Sequence, residues 1–132
     1  MEISDTPTSS ERRVYKRYNA SDGAFAAISP NSFKLGQILN ISRGGLAFQY
    51  IETKKNSAYT AVKEKNLFLS SKRYYVQGIP FKTVADNYIP NDNPLSTIKM
   101  RRCSIEFGEM SFDQIINLDN YIINNTDQYC HF

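Results

Sequence analysis

Apolar and polar positions alternate with a period of two over several short stretches of the chain. In residues 46–50, Leu46, Phe48 and Tyr50 alternate with Ala47 and Gln49, and in residues 99–107, Cys103, Ile105 and Phe107 alternate with Arg102, Ser104 and Glu106. Successive side chains of a strand point to opposite faces, so this pattern predicts strands with one buried face. Further strands are predicted at 24–29, 33–41, 67–70 and 74–84, the last extended by 83–89. Turn signals separate them: Asn19-Ala20-Ser21-Asp22-Gly23, Pro30-Asn31-Ser32, Ser42-Arg43-Gly44-Gly45 and Pro90-Asn91-Asp92-Asn93-Pro94. Residues 52–66 form a polar, lysine-rich connection with a short helical turn expected at 59–65.

The period changes to that of a helix after Ser111. Ser111 and Gln114 fit a capping box, and Phe112, Ile115, Ile116, Leu118, Ile122 and Ile123 fall on one arc, interrupted by Asp119. The opposite face carries Asp113, Asn117, Asn120 and Asn124. Six short strands followed by one helix predict a mainly β, six-stranded antiparallel β-barrel with a C-terminal α-helix packed on it. Cys103 then serves as a small buried hydrophobe.

Composition narrows the functional class. The 132 residues fit one domain able to bury a core without staples. With 41% hydrophobic and 22% charged residues the chain reads as ordinary and globular, and its two cysteines form no disulfide framework. No signal peptide or membrane-length apolar run is visible, so a cytoplasmic location is expected. Residues 1–11 are expected to be a flexible leader, 12–126 the folded domain and 127–132 a tail. The net charge of +3 suits a small anionic ligand and is weak for nucleic acid. Basic and aromatic residues do interleave at 12–18 and 72–75, as in proteins that bind single strands. Nucleotide-binding glycine loops and metal-site motifs are absent from the sequence. The single histidine, His131, stands at the frayed end beside Cys130, where two ligands make a poor metal site. No set of nucleophile, base and orienting acid can be assembled without it. A binding module, not an enzyme, is expected, with no metal and no catalytic residues.

Two polar motifs remain. Arg13 and Arg17, preceded by Arg12, form R-x-x-x-R, and Asn40, Ser42 and Gly45 form N-x-S-x-x-G. On an extended segment Asn40 and Ser42 face the same side, and Gly44-Gly45 admits a positive-φ turn with room for a ligand against the backbone. A planar guanidinium suits guanine O6 and N7, stacks on rings and pairs with phosphate. From the residues alone, the second motif is either a polar hairpin tip or half of a binding site. The arginines are either a solvated face or its other half. Residues 12–19 are read as a flexible loop that closes over a ligand. Arg101 and Arg102 are read as further ligand contacts or as a solvated strand end.

The ordered pair of motifs, in a chain of this size and strand pattern, resembles the signature of PilZ domains from Arg12 to the end of the predicted helix. That family includes many receptors for the bacterial second messenger cyclic di-GMP. The resemblance implies a six-stranded barrel with a C-terminal helix. It also implies a site in which Arg13 and Arg17 grip guanine and phosphate while Asn40, Ser42 and Gly45, with Gly44, surround the other guanine face. Asn replaces the alternative Asp at the first motif position, and Ser104 stands where family members often carry Gly. A basic residue at Arg12 is associated in this family with an intercalated dimer of the ligand. Output is expected through a protein partner, a homo-oligomer or the ordered N-terminal arm. The alternative within the family is an adaptor that binds no nucleotide and acts by protein contact.

Overall fold

The computed structural model describes residues 15–29, 34–54, 56 and 66–127. The elements bounded within the described residues are β1 (Tyr18–Asn19), β2 (Phe25–Ser29), β3 (Lys34–Ile41), β4 (Gly45–Ile51), β5 (Asn66–Ser70), β6 (Tyr75–Gln77), β7 (Phe81–Tyr88), β8 (Met100–Phe107) and α1 (Phe112–Asn125). All pairings are antiparallel, in the order β6-β5-β2-β3-β4-β8-β7, with β1 on β3. The sheet curls around the core as a half-barrel with β6 and β7 at its edges.

Two features differ from the six-stranded antiparallel barrel that the sequence predicts. The stretch expected as one strand from Tyr74 onward is two, because Gly78 at φ +79 turns the chain and Pro80 has no N–H for a ladder. The path therefore holds seven strands, and β6 and β7 do not pair with each other. Tyr18 and Asn19, expected in a flexible loop, form β1 against Ile41 and Asn40. The helical turn expected at 59–65, the leader and Arg12, Arg13, Cys130 and His131 lie outside the described residues.

Strand alternation places Leu46, Phe48, Cys103, Ile105 and Phe107 in the core with Ile28, Ile38, Leu67 and Leu69. Helix α1 closes the core from one side. Its buried stripe is Leu118, Tyr121 and Ile122, whereas Phe112 and Ile116 face solvent. Tyr121, missing from the apolar arc read in the sequence, is the largest fully buried side chain, and its hydroxyl donates to the Ser70 carbonyl at 2.7 Å. Burial pushes this phenol's pKa up, so it remains protonated. The capping box is present: Gln114 N–H donates to Ser111 Oγ at 3.2 Å and Ser111 N–H to Gln114 Oε1 at 2.8 Å. Gln114 Nε2 also donates to the Gly78 carbonyl at 3.0 Å, tying the helix start to the β6–β7 break. Ser111→Ala is expected to cost about 1 kcal/mol, read as a melting temperature lower by roughly 3–5 °C.

At the N-terminal end of β3 a charge cluster fastens four strands. Arg101 Nε donates to Asp86 Oδ1 at 2.7 Å and its Nη1 meets Glu52 Oε1 at 3.0 Å. Lys34 Nζ lies 3.3 Å from Asp86 Oδ2, which also accepts from the Tyr50 hydroxyl at 2.6 Å. Arg101 stacks over Tyr88, with 4.2 Å from Cζ to the ring centroid. Arg101 is thus a structural cross-link from β8 to β4 and β7. Burial alone would raise the Asp86 pKa, but hydrogen bonds from Arg101 and Tyr50 and the Lys34 and Arg101 charges outweigh it and hold the carboxyl below its usual range. Burial and the Asp86 contact drive the Tyr50 phenol upward, and Asp86 does the same for Arg101.

Candidate functional site

Arg17 of the first motif and the whole of the second meet at the opposite end of β3. The pairing of β1 with β3 sets Asn19 against Asn40 and brings Arg17, the residue before β1, alongside the same strand end. Arg17 Nη1 donates to Asn40 Oδ1 at 3.3 Å. Further backbone bonds fasten the arm to β3 and to the end of α1. Ala20 N–H donates to the Leu39 carbonyl at 3.1 Å, Ser21 N–H to the Asn125 carbonyl at 2.8 Å, and Asp127 N–H to the Asn19 carbonyl at 3.1 Å. The N-terminal arm therefore lies between the β3 end and the C-terminal end of α1.

Hairpin geometry fixes the second motif. The β3–β4 ladder slips between Ile38 and Asn40, which adds a kink before the tip. Ser42 lies just past the strand, 4% exposed. Its N–H donates to the Gly45 carbonyl at 2.8 Å, and its hydroxyl accepts the Gly44 N–H at 3.0 Å. The serine thus braces the tip, a hydroxyl standing in for a backbone acceptor. Asn40, in contrast, keeps its amide towards Arg17.

The motif glycines serve packing, and the positive φ expected of them belongs instead to Gly23 and Gly78 among the described residues. A Cβ on Gly45 would stand 2.3 Å from the Ile105 carbonyl oxygen, where β4 and β8 approach. A Cβ on Gly44 would meet the Tyr15 ring at 3.1 Å and Ser42 Oγ at an ordinary 3.7 Å. Gly45→Ala is therefore expected to lose about 1–3 kcal/mol of stability in urea denaturation. Gly44→Ala, where an exposed side chain can yield, should stay within about 0.5 kcal/mol.

Between the arm, the tip and the helix lies an open cleft of about 290 Å³. Tyr15, Lys16 and Tyr18 line one wall, Ser42 and Arg43 the second, and Asp119, Ile122 and Ile123 the third. Arg43 Nε pairs with Asp119 Oδ1 at 2.9 Å and its guanidinium stands 5.9 Å from the Tyr15 ring centroid. Aromatic rings beside cations over a partly apolar floor fit a flat, anionic, heteroaromatic ligand. A larger cleft, about 370 Å³, opens between Asp22-Gly23, the Ser71-Lys72-Arg73-Tyr74 turn and Asn124-Asn125. It holds two cations but none of the motif residues, so its size alone does not make it the better candidate.

Of the residues singled out in the sequence, the fold brings Arg17, Asn40, Ser42, Gly44 and Gly45 to one end of the half-barrel. Arg12 and Arg13 precede the described residues. Sequence reading missed Tyr15, Arg43 and Asp119. Arg43 sits inside the second motif and Asp119 is the charge that interrupts the helix's apolar arc, so the signal for both was present in the pattern.

No family model matches the chain, and no curated protein matches it. Solved structures do. MrkH, described as a c-di-GMP-dependent transcription regulatory factor, superposes with a TM-score of 0.62 at 18% identity, over 86% of this chain and 51% of that one. This chain thus spans about half the length of the MrkH chain. The PilZ domain of YcgR from Escherichia coli, solved with c-di-GMP, superposes with a TM-score of 0.60 at 14% identity, over 86% of this chain and 90% of that one. The fold of this chain is that of PilZ domains. Among the described residues no helix is long and apolar enough to cross a membrane, and no group of three metal-ligating side chains forms.

Proposed function

We propose that this chain is a receptor for cyclic di-GMP. The observation that carries the reading is the meeting of Arg17 and Asn40 at the strand end that leads into the hairpin tip, where Ser42 and Arg43 line a cleft together with Tyr15, Lys16 and Tyr18. Arg17 and Asn40, 23 residues apart in sequence, are in contact there, in a fold shared with a domain solved with c-di-GMP. An arginine fork reads guanine O6 and N7 or clasps phosphate. Asn40 both donates and accepts, so it can pair with the arginine and with a base edge. The braced tip offers its backbone to the ligand at Gly44, while Gly45 admits β8 and so sets the shape of the tip.

Arg12 and Arg13 complete the arginine side of the site from the arm that leads into β1. Closing this arm over the ligand changes the surface between the hairpin tip and the end of α1. A protein partner, or a second copy of the chain, then reads that surface. Arg12 supplies charge and stacking area for a second, intercalated ligand molecule. Titration calorimetry with cyclic di-GMP, with GTP and cyclic di-AMP as controls, tests the reading. Selective heat with about two ligands per chain is expected for the intercalated dimer. Absence of both heat and thermal shift would remove the receptor reading.

A further inference from the structure

Asp119 sits in the cleft where an anionic ligand would bind, and that placement has an energetic consequence. Among the described residues that line the cleft it is the one acid, facing Lys16 and Arg43. It is also partnered: its Oδ1 accepts from Arg43 Nε at 2.9 Å, and both side chains are partly exposed, at 38% and 48%. The pair links the tip of the β3–β4 hairpin to the middle of α1. Resting on the receptor reading above, we infer that Asp119 occupies the phosphate position on Arg43 in the unliganded protein and so sets the ligand affinity.

Physical reasons favour this over a merely structural ion pair. Exposed pairs of this kind contribute little to stability, so the fold gains little from keeping an acid here. The same acid opposes any phosphate that enters the cleft, because like charges across a few ångströms repel. A phosphate that reaches Arg43 must displace the carboxylate, and the arginine then exchanges one anion for another. Tyr15, whose ring lies over both Gly44 and Arg43, moves with that exchange. Asp119 is therefore an affinity-determining residue, and Arg43 is the cation it shields.

The test is calorimetric titration of the full chain with cyclic di-GMP. Asp119→Asn is compared with wild type and with Asp92→Asn, which removes the same charge from an exposed loop away from the cleft. Asp119→Asn is expected to bind about three- to tenfold more tightly, with the gain shrinking at high salt and becoming smaller in the Arg43→Ala background, where only direct repulsion is relieved. Asp92→Asn is expected to match wild type. Asp119→Ala serves as a second variant, and melting curves verify that all of these proteins fold. Wild-type binding with an unchanged or weaker Asp119→Asn would overturn the inference and leave the receptor reading standing. An equal gain in Asp92→Asn would also overturn it, because the effect would then belong to net charge. Failure of every protein to bind would overturn both.

Discussion

Arg17→Ala is expected to abolish measurable cyclic di-GMP binding at ordinary titration concentrations while leaving the fold intact. Arg17 lies at the arm's entry into β1 and its Nη1 donates to Asn40 Oδ1 at 3.3 Å. Its backbone neighbours Tyr18 and Asn19 are held by β3 through main-chain pairing, which survives the truncation. A charge-assisted contact to a ligand is worth about 2 kcal/mol or more, equivalent to roughly thirtyfold in affinity for a single lost contact. Arginines that hold guanine and phosphate make more than one such contact, so the loss exceeds that figure. Arg17→Lys is expected to recover only part of the binding, because an ammonium keeps the charge but loses the planar fork. Calorimetry gives the affinities and circular dichroism the fold. Parent-like binding by Arg17→Ala would place the site elsewhere.

The second large effect is on stability, far from the proposed ligand. Asp86→Ala is expected to destabilise the protein by about 3 kcal/mol, because it leaves Lys34, Arg101 and the Tyr50 hydroxyl without their shared acceptor in a half-buried setting. The effect also depends on pH. The folded-state pKa of Asp86 is depressed, so its contribution is fully present above the ordinary aspartate value of about 3.9. It is lost as pH falls through the lower folded-state value. The stability difference between wild type and Asp86→Asn should accordingly narrow as a denaturation series moves from pH 6 towards pH 2. A difference that stays constant across that range would show that the charge of Asp86 contributes nothing.

Much of this architecture was legible in the alternation of residues. Cys103, Ile105 and Phe107 lie inward as their period of two requires, and Ser111 with Gln114 marks the helix start at the correct residue. The seventh strand on the path escaped because Gly78-Ile79-Pro80 interrupts a run that reads as continuous. Only the local geometry, with Gly78 at φ +79, separates β6 from β7. β1 was illegible for another reason. Two residues carry no periodicity, and their pairing with Asn40 and Ile41 depends on the tertiary placement of the arm. The same limit applies to the site. Asn40, Ser42 and Gly45 were readable as a motif, yet the role of Gly45 depends on how closely β8 approaches, a distance no sequence spacing encodes. Asp119 appeared only as a flaw in an apolar arc until the fold set it against Arg43.

We propose that cyclic di-GMP binds where the arm, the β3–β4 tip and α1 converge. The most direct test is an amide chemical-shift map recorded as the ligand is added to isotope-labelled protein. The expected result is that the largest shifts fall on residues 15–20 and 40–46, with smaller ones around Asp119. Shifts concentrated instead on Asp22, Gly23 and the Lys72-Arg73 turn would contradict the account and assign the ligand to the larger cleft.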